Sequence, residues 1–172
     1  MNRLGEKSLR TLEYFTVLDL LAAEASSERG RELCMALRPV TDREEAALWL
    51  RQTTDAKDLM VKQGSPPLGG IRNVLGALKR ADISGVLNLR ELLDVASLLQ
   101  CARLMQGYFA EQEGKTSLTP IYRLVTGNRT LEEHITSCIV SEEEIADGAS
   151  PELSSIRRQK RQISGKIRET LG

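Results

Sequence analysis

Apolar positions recur along most of this chain at spacings of three and four, and the elements they predict are helices. Leu9, Leu12, Val17, Leu18 and Leu21 roughly follow that spacing and predict one helix over about residues 8–25. A second helix starts at Ser26 or Ser27 and ends near Arg38, because Pro39 disfavours helical dihedrals at the residue before it. Thr41 and Glu44 then have the spacing of a capping box, which opens a long helix to about Gln63. Two prolines and three glycines between Gly64 and Gly70 interrupt the pattern and predict a loop. A short helix over about residues 73–81 leads to a second box at Asn88 and Glu91, which opens a helix to about Phe109. Apolar residues of that helix, among them Leu89, Leu92, Val95, Leu98, Leu99, Cys101 and Met105, cover more than one face, so it is expected to be central and buried. Shorter helices are expected at about 118–126 and 131–139, and residues 139–149 read as irregular or a small hairpin.

Ser150-Pro151 opens the last helix, with a good N-cap followed by proline at the first helical position, where its missing amide costs nothing. Leu153, Ile156, Lys160, Ile163, Ile167 and Thr170 then alternate strictly by three and four, which is a coiled-coil seam with one lysine in it. At about 100° per residue Arg157, Arg161 and Arg168 fall within about 40° of one another, with Arg158 beside them and away from the seam. The seam pattern is still running at Gly172, so the helix is expected to continue further.

Composition supports an all-α domain, since Leu occurs 26 times in 172 residues while aromatics make up only 3%. Lys plus Arg and Asp plus Glu are both 24, which excludes a uniformly basic nucleic-acid binder but leaves room for local patches. Charge is in fact uneven: residues 1–140 carry 18 of each sign, residues 141–149 carry four acids, and residues 150–172 carry six bases and two acids, a net +4. Cys34, Cys101 and Cys138 form neither a CxxC nor a disulfide framework, which suits a reducing cytoplasm. No apolar run approaches the roughly 18 residues of a membrane span, and the N-terminus lacks the apolar stretch of a secretory signal, so no membrane partner is expected.

Chemistry is thin elsewhere. The glycines and lysine of Gly107 to Thr116 invite a phosphate-loop reading, but six residues separate the glycines where four are needed, and the segment follows a helix instead of a strand. His134 and Cys138 have the i,i+4 spacing at which two side chains can meet a metal, yet His134 is the only histidine and a closed tetrahedral site lacks ligands, so no metal is expected. Glu142 to Glu144 are consecutive, point in different directions and read as a solvated acidic turn. The arginine row is the best functional candidate, because guanidinium groups on one helical face can each meet a backbone phosphate without reading sequence. At most three or four such contacts can form at once, which predicts a log-log salt slope of roughly −3 to −4 on duplex DNA. The acidic turn preceding the helix repels phosphate, so contact is expected to favour the distal half.

Leu12-Glu13-Tyr14 with Val17 to Leu21, then Ala25 to Gly30 and Leu37-Arg38-Pro39, resembles the N-terminus of the bacterial MutS paralogues that carry a C-terminal Smr (small MutS-related) domain. The likeness continues through Gly64 to Pro67, Gly70-Ile71-Arg72, Leu87 to Val95 and, most specifically, Ile145 to Leu153 followed by Ile156-Arg157-Arg158. It implies a helical core or connector domain over 1–149, from which a long lever helix starts at 150–172 and runs to a clamp. A returning helix would pack antiparallel on Leu153, Ile156, Lys160, Ile163 and Ile167; self-association through residues 153–171 is the other way to cover them. The resemblance further implies that the whole protein is a homodimeric ATPase using ATP and Mg, with a nuclease at its Smr end, that acts in DNA junction binding, recombination suppression or ribosome rescue. No position here matches the family's phosphate-binding loop or nuclease motif, so no catalytic, cofactor or metal residue carries over. Phe109-Ala110-Glu111 matches the Phe-x-Glu of mismatch readers, but it ends a buried helix and these paralogues lack the reader domain. The chain is therefore expected to be a mechanical scaffold without chemistry of its own. The alternative is a stand-alone helical adaptor that binds a partner helix through the same seam.

Overall fold

The computed structural model describes residues 5–112 and 114–171, and it is predominantly helical. Its helices are α1 (Glu6–Thr11), α2 (Tyr14–Ala23), α3 (Glu28–Ala36), α4 (Arg43–Gln63), α5 (Leu75–Asp82), α6 (Leu89–Phe109), α7 (Thr119–Tyr122), α8 (Arg129–Cys138) and α9 (Pro151–Leu171). A two-stranded antiparallel hairpin, β1 (Ile139–Ser141) and β2 (Glu144–Ile145), precedes α9. The chain packs as two units, one of residues 1–73 with 100–127 and the other of 74–99 with 128–172.

In the first unit the single helix expected over residues 8–25 is two. Leu12 leaves the helix and Glu13 takes the left-handed conformation at φ 53° before α2 begins. Helical spacing gives the reason. Leu9 and Leu18 are nine residues apart, about 180° around an unbroken helix, so one of them would face away from the core. With the break both are buried, together with Ala22, whereas Leu12, Val17 and Leu21 of the expected apolar face are exposed. Ser27 caps α3 by accepting from the Gly30 amide at 3.0 Å, and α3 packs on α2. The expected cap of α4 shifts by one residue: Asp42, not Thr41, accepts from the Glu45 amide at 2.8 Å. A carboxylate there meets the helix dipole as well as the amide, which a hydroxyl one residue earlier does not.

Gly64 ends α4 at φ 82°, and the proline loop after it is pinned by α6, with the Tyr108 hydroxyl donating to the Gly64 carbonyl at 2.6 Å and the Cys101 thiol to that of Pro67 at 2.8 Å. Asp55 of α4 accepts from both the amide and the hydroxyl of Ser117, at 2.7 and 2.6 Å. These two bonds hold its carboxyl below the usual value. The helix expected at 118–126 shrinks to the single turn α7. The carbonyl of Val125 accepts from the Gln106 amide group at 3.1 Å, and the β-branched pair Val125-Thr126 is followed by glycine, so nothing favours another turn.

The second unit is built on Val74, Val95, Ala96, Ile135 and Ile139, with Leu89, Leu92, Leu93, Leu98, Leu99 and Cys138 packed around them. The box expected at the head of α6 is closed on both sides: the Asn88 side chain accepts from the Glu91 amide at 2.9 Å, and the Glu91 carboxylate accepts from the Asn88 amide at 3.1 Å. Arg80 also pairs with Glu91. Asn128 caps α8 by accepting from the Leu131 amide at 3.0 Å, and the helix buries Ile135 while the first residue of β1, Ile139, enters the same core. The hairpin follows directly, with Ile139 opposite Ile145 and Ser141 opposite Glu144.

Candidate nucleic-acid and helix-pairing surface

The hairpin and α9 make one electrostatic unit. Ser150 accepts from the Leu153 amide at 3.1 Å, so the helix begins where its cap and proline require. Its first three turns then lie against the segment after β2. Arg157 Nη1 donates to the Ile145 carbonyl at 2.8 Å and also to Asp147 Oδ1. Arg161 Nη1 donates to Asp147 Oδ2 at 3.0 Å, and the Ser154 hydroxyl donates to the Asp147 carbonyl. Residues 154, 157 and 161 share one helical face, and Asp147 meets all three. The Arg157 hydrogen bond first, and that of Arg161 second, hold the Asp147 carboxyl below its ordinary value.

The four arginines therefore differ in their surroundings. The Arg157 side chain is half-buried, Arg161 is exposed but paired, and Arg158 and Arg168 are exposed with no ion pair among the described residues. The seam divides in the same way. Leu153 is half-buried, Lys160 is exposed, and Ile156, Ile163 and Ile167 keep 61%, 59% and 52% of their surface exposed. The apolar face is open to a partner from Ile156 onward, and of the arginine row Arg158 and Arg168 are open as well.

Sequence reasoning did not find Asp147 as a partner of the arginines, counting it only among the four acids of residues 141–149. The available signal was an acid just before the start of a helix with arginines four residues apart. Within the acidic turn, Glu142 pairs with Arg90 of α6 at 3.6 Å. Elsewhere the weaker candidates have structural surroundings. Lys115 Nζ donates to the Glu111 carbonyl at 2.9 Å, His134 is exposed, and Cys138 is half-buried with its sulfur 3.9 Å from the Ala149 carbonyl. Glu113, inside the glycine segment weighed above, lies outside the described residues. Phe109 is buried and stacks on Tyr122 with ring centroids 4.6 Å apart, which leaves no face for a base. Among the described residues no three His, Cys, Asp or Glu side chains gather as a metal site, the three thiols are free, and no helix is long and apolar enough to cross a membrane.

No protein-family model matches the chain. It is 42% identical over 171 residues to a protein named Endonuclease MutS2 from Ruminiclostridium cellulolyticum, 37% identical over 172 residues to one of the same name from Acetivibrio thermocellus, and 36% over 172 residues to one from Alkaliphilus oremlandii. Each match covers 98% of this chain and 22% of the relative, so the chain spans about a fifth of the length of these curated relatives.

Proposed function

We propose that this chain is the N-terminal core and lever root of a MutS-like protein, and that it couples movement of a clamp on nucleic acid to a distant ATPase. The observation that carries this reading is the colinear likeness of 98% of the chain to proteins named as MutS endonucleases. The open seam of α9 supports it, since Ile156, Ile163 and Ile167 are unfavourable in water unless another helix covers them. Residues 1–149 then serve as core and connector, and the helix from residue 150 as the start of the lever, paired with a returning helix. The arginine row of that helix meets phosphates. In the whole protein, a cytoplasmic homodimer, ATP and Mg are used by the ATPase and cutting belongs to an Smr domain. Its ligand is branched DNA or the ribosome.

The test uses the whole gene. Ile163→Asp with Ile167→Asp should abolish stimulation of ATP hydrolysis by nucleic acid while leaving the basal rate intact, because pairing of the lever fails while the ATPase is untouched. Unchanged stimulation would overturn the lever reading. An open reading frame that stopped at residue 173, with no phosphate-binding loop downstream, would instead favour the helical adaptor. The 172-residue chain by itself should neither hydrolyse ATP nor cut DNA, since among its described residues no cluster of nucleophile, base and phosphate cradle is assembled.

A further inference from the structure

The carboxylate of Asp147 is the anion that two arginines of the row hold in this structure. It accepts from Arg157 with one oxygen and from Arg161, at 3.0 Å, with the other, one turn apart on a single face of α9. Arg157 is further committed to the Ile145 carbonyl, and the Asp147 backbone is tied to Ser154. Two helical turns on, Arg168 lies on the same face without any such partner among the described residues, as does Arg158 beside the row.

We infer that Asp147 is an intramolecular stand-in for phosphate: it occupies Arg157 and Arg161, so that the resting chain offers only Arg158 and Arg168 of its arginine row to a phosphate backbone. The inference rests on the reading of the row as a phosphate-meeting face. The device is weak by construction. An exposed carboxylate competes in water, where ion pairs are screened and small, so a polyanion can be favoured over it without any other change in the fold. Nucleic acid would then be gripped first by the distal part of α9 and only afterwards by its root, which would free the helix from the hairpin as it binds. Because four ties hold that root, such release would loosen the direction in which α9 leaves the second unit.

The experiment is fluorescence anisotropy of the 172-residue chain on a short labelled DNA duplex of arbitrary sequence, over a series of salt concentrations. In the parent the arginine row should contribute a log-log slope of about −2, and in Asp147→Asn about −3 to −4, with binding tighter by about three- to tenfold at low salt. Arg161→Gln should cost the parent less than about twofold and should remove most of the gain in the Asp147→Asn background. Glu144→Gln, which removes an equal charge from a hairpin residue with no ion pair to the arginines among the described residues, should give no steeper slope. The helical circular dichroism of each variant reports folding. Should Asp147→Asn fold poorly, Arg161→Gln against Arg168→Gln in the parent still decides, since only the second should weaken binding appreciably. An unchanged slope in Asp147→Asn, an equal gain from Glu144→Gln, or equal losses from Arg161→Gln and Arg168→Gln would overturn the inference while leaving the phosphate-meeting row in place. Absence of binding by parent and Asp147→Asn alike would sink both.

Discussion

The two halves of α9 have similar sequences and different circumstances. From Pro151 to Arg161 the helix has a side-chain cap, a half-buried Leu153, and two arginines and a serine bound to the Ile145–Asp147 segment. From Gln162 to Thr170 every residue is exposed, including Ile163 and Ile167. Nine residues of helix without a packed face are marginal in water, because propensity alone seldom offsets the entropy of ordering them. The chain thus anchors the start of this helix by its own polar contacts and leaves the continuation to be stabilised by something else. Amide hydrogen exchange should break or confirm this most visibly. In dilute solution amides of residues 155–161 should exchange about a hundredfold or more slowly than those of 163–170. Protection of the distal half that appears only at high concentration would mean that copies pair through the seam. A monomeric chain with both halves equally protected would remove the contrast.

A second contrast sets the seam against the core of the unit from which it emerges. Ile135 is 6% exposed among Val74, Val95, Ala96 and Ile139, whereas Ile163 is 59% exposed. Ile135→Ala should therefore cost about 2–5 kcal/mol in urea unfolding, from lost transfer and the cavity left behind. Ile163→Ala should stay within about 0.5 kcal/mol. If the two cost the same, the seam is already covered in this chain.

What was legible in the sequence was local. The box at Asn88 and the cap at Ser150 act over three residues, so spacing alone revealed them, and the hairpin before α9 lies where helical periodicity lapses. The break at Glu13 was hidden because its cause is tertiary: Leu9 and Leu18 must reach one core, which a window of apolar spacing does not register. The cap of α4 went to Asp42 because two good caps stood side by side and the charged one is the stronger neighbour of a helix dipole. Of the candidate surface, the seam and the four arginines were read correctly as positions on a helix. Asp147 was not linked to them, because its pairing with Arg157 and Arg161 spans ten and fourteen residues and depends on how the hairpin turns back.

Acid should act on the root of α9 and spare its distal half. The Asp147 carboxyl is depressed in the folded chain below the ordinary 3.8, first by Arg157 and then by Arg161. A depressed carboxyl contributes stability that is fully present above the unfolded value and is lost as pH falls through the folded one, so the relevant window lies below about pH 3.8. Protection of the amides at 155–161 should therefore decline across that window in the parent. In Asp147→Asn it should start lower and show a shallower decline, since Asp55 and Glu91, also depressed, still titrate in the rest of the chain. Parallel curves for parent and variant would show that the carboxylate does not anchor the helix.

The smallest expected effect is the loss of one distal guanidinium. Arg168 and Arg157 differ by about 20° around the helix, so a phosphate backbone laid along that face has equal geometric access to both. Their availability differs: Arg157 already donates to the Ile145 carbonyl and to Asp147, while Arg168 has no ion pair among the described residues. Each phosphate met by a cation releases condensed counterions and adds about 0.9 to the log-log salt slope on duplex DNA. Arg168→Gln should therefore flatten the slope by about one, with helical circular dichroism unchanged, whereas Arg157→Gln should leave the slope alone and loosen the amides of the helix root instead. Two substitutions of the same kind on the same face would then report different properties, one binding and one anchorage. Should Arg157→Gln flatten the slope as much as Arg168→Gln does, the proximal arginine is free to meet phosphate and the two halves of α9 are electrostatically alike.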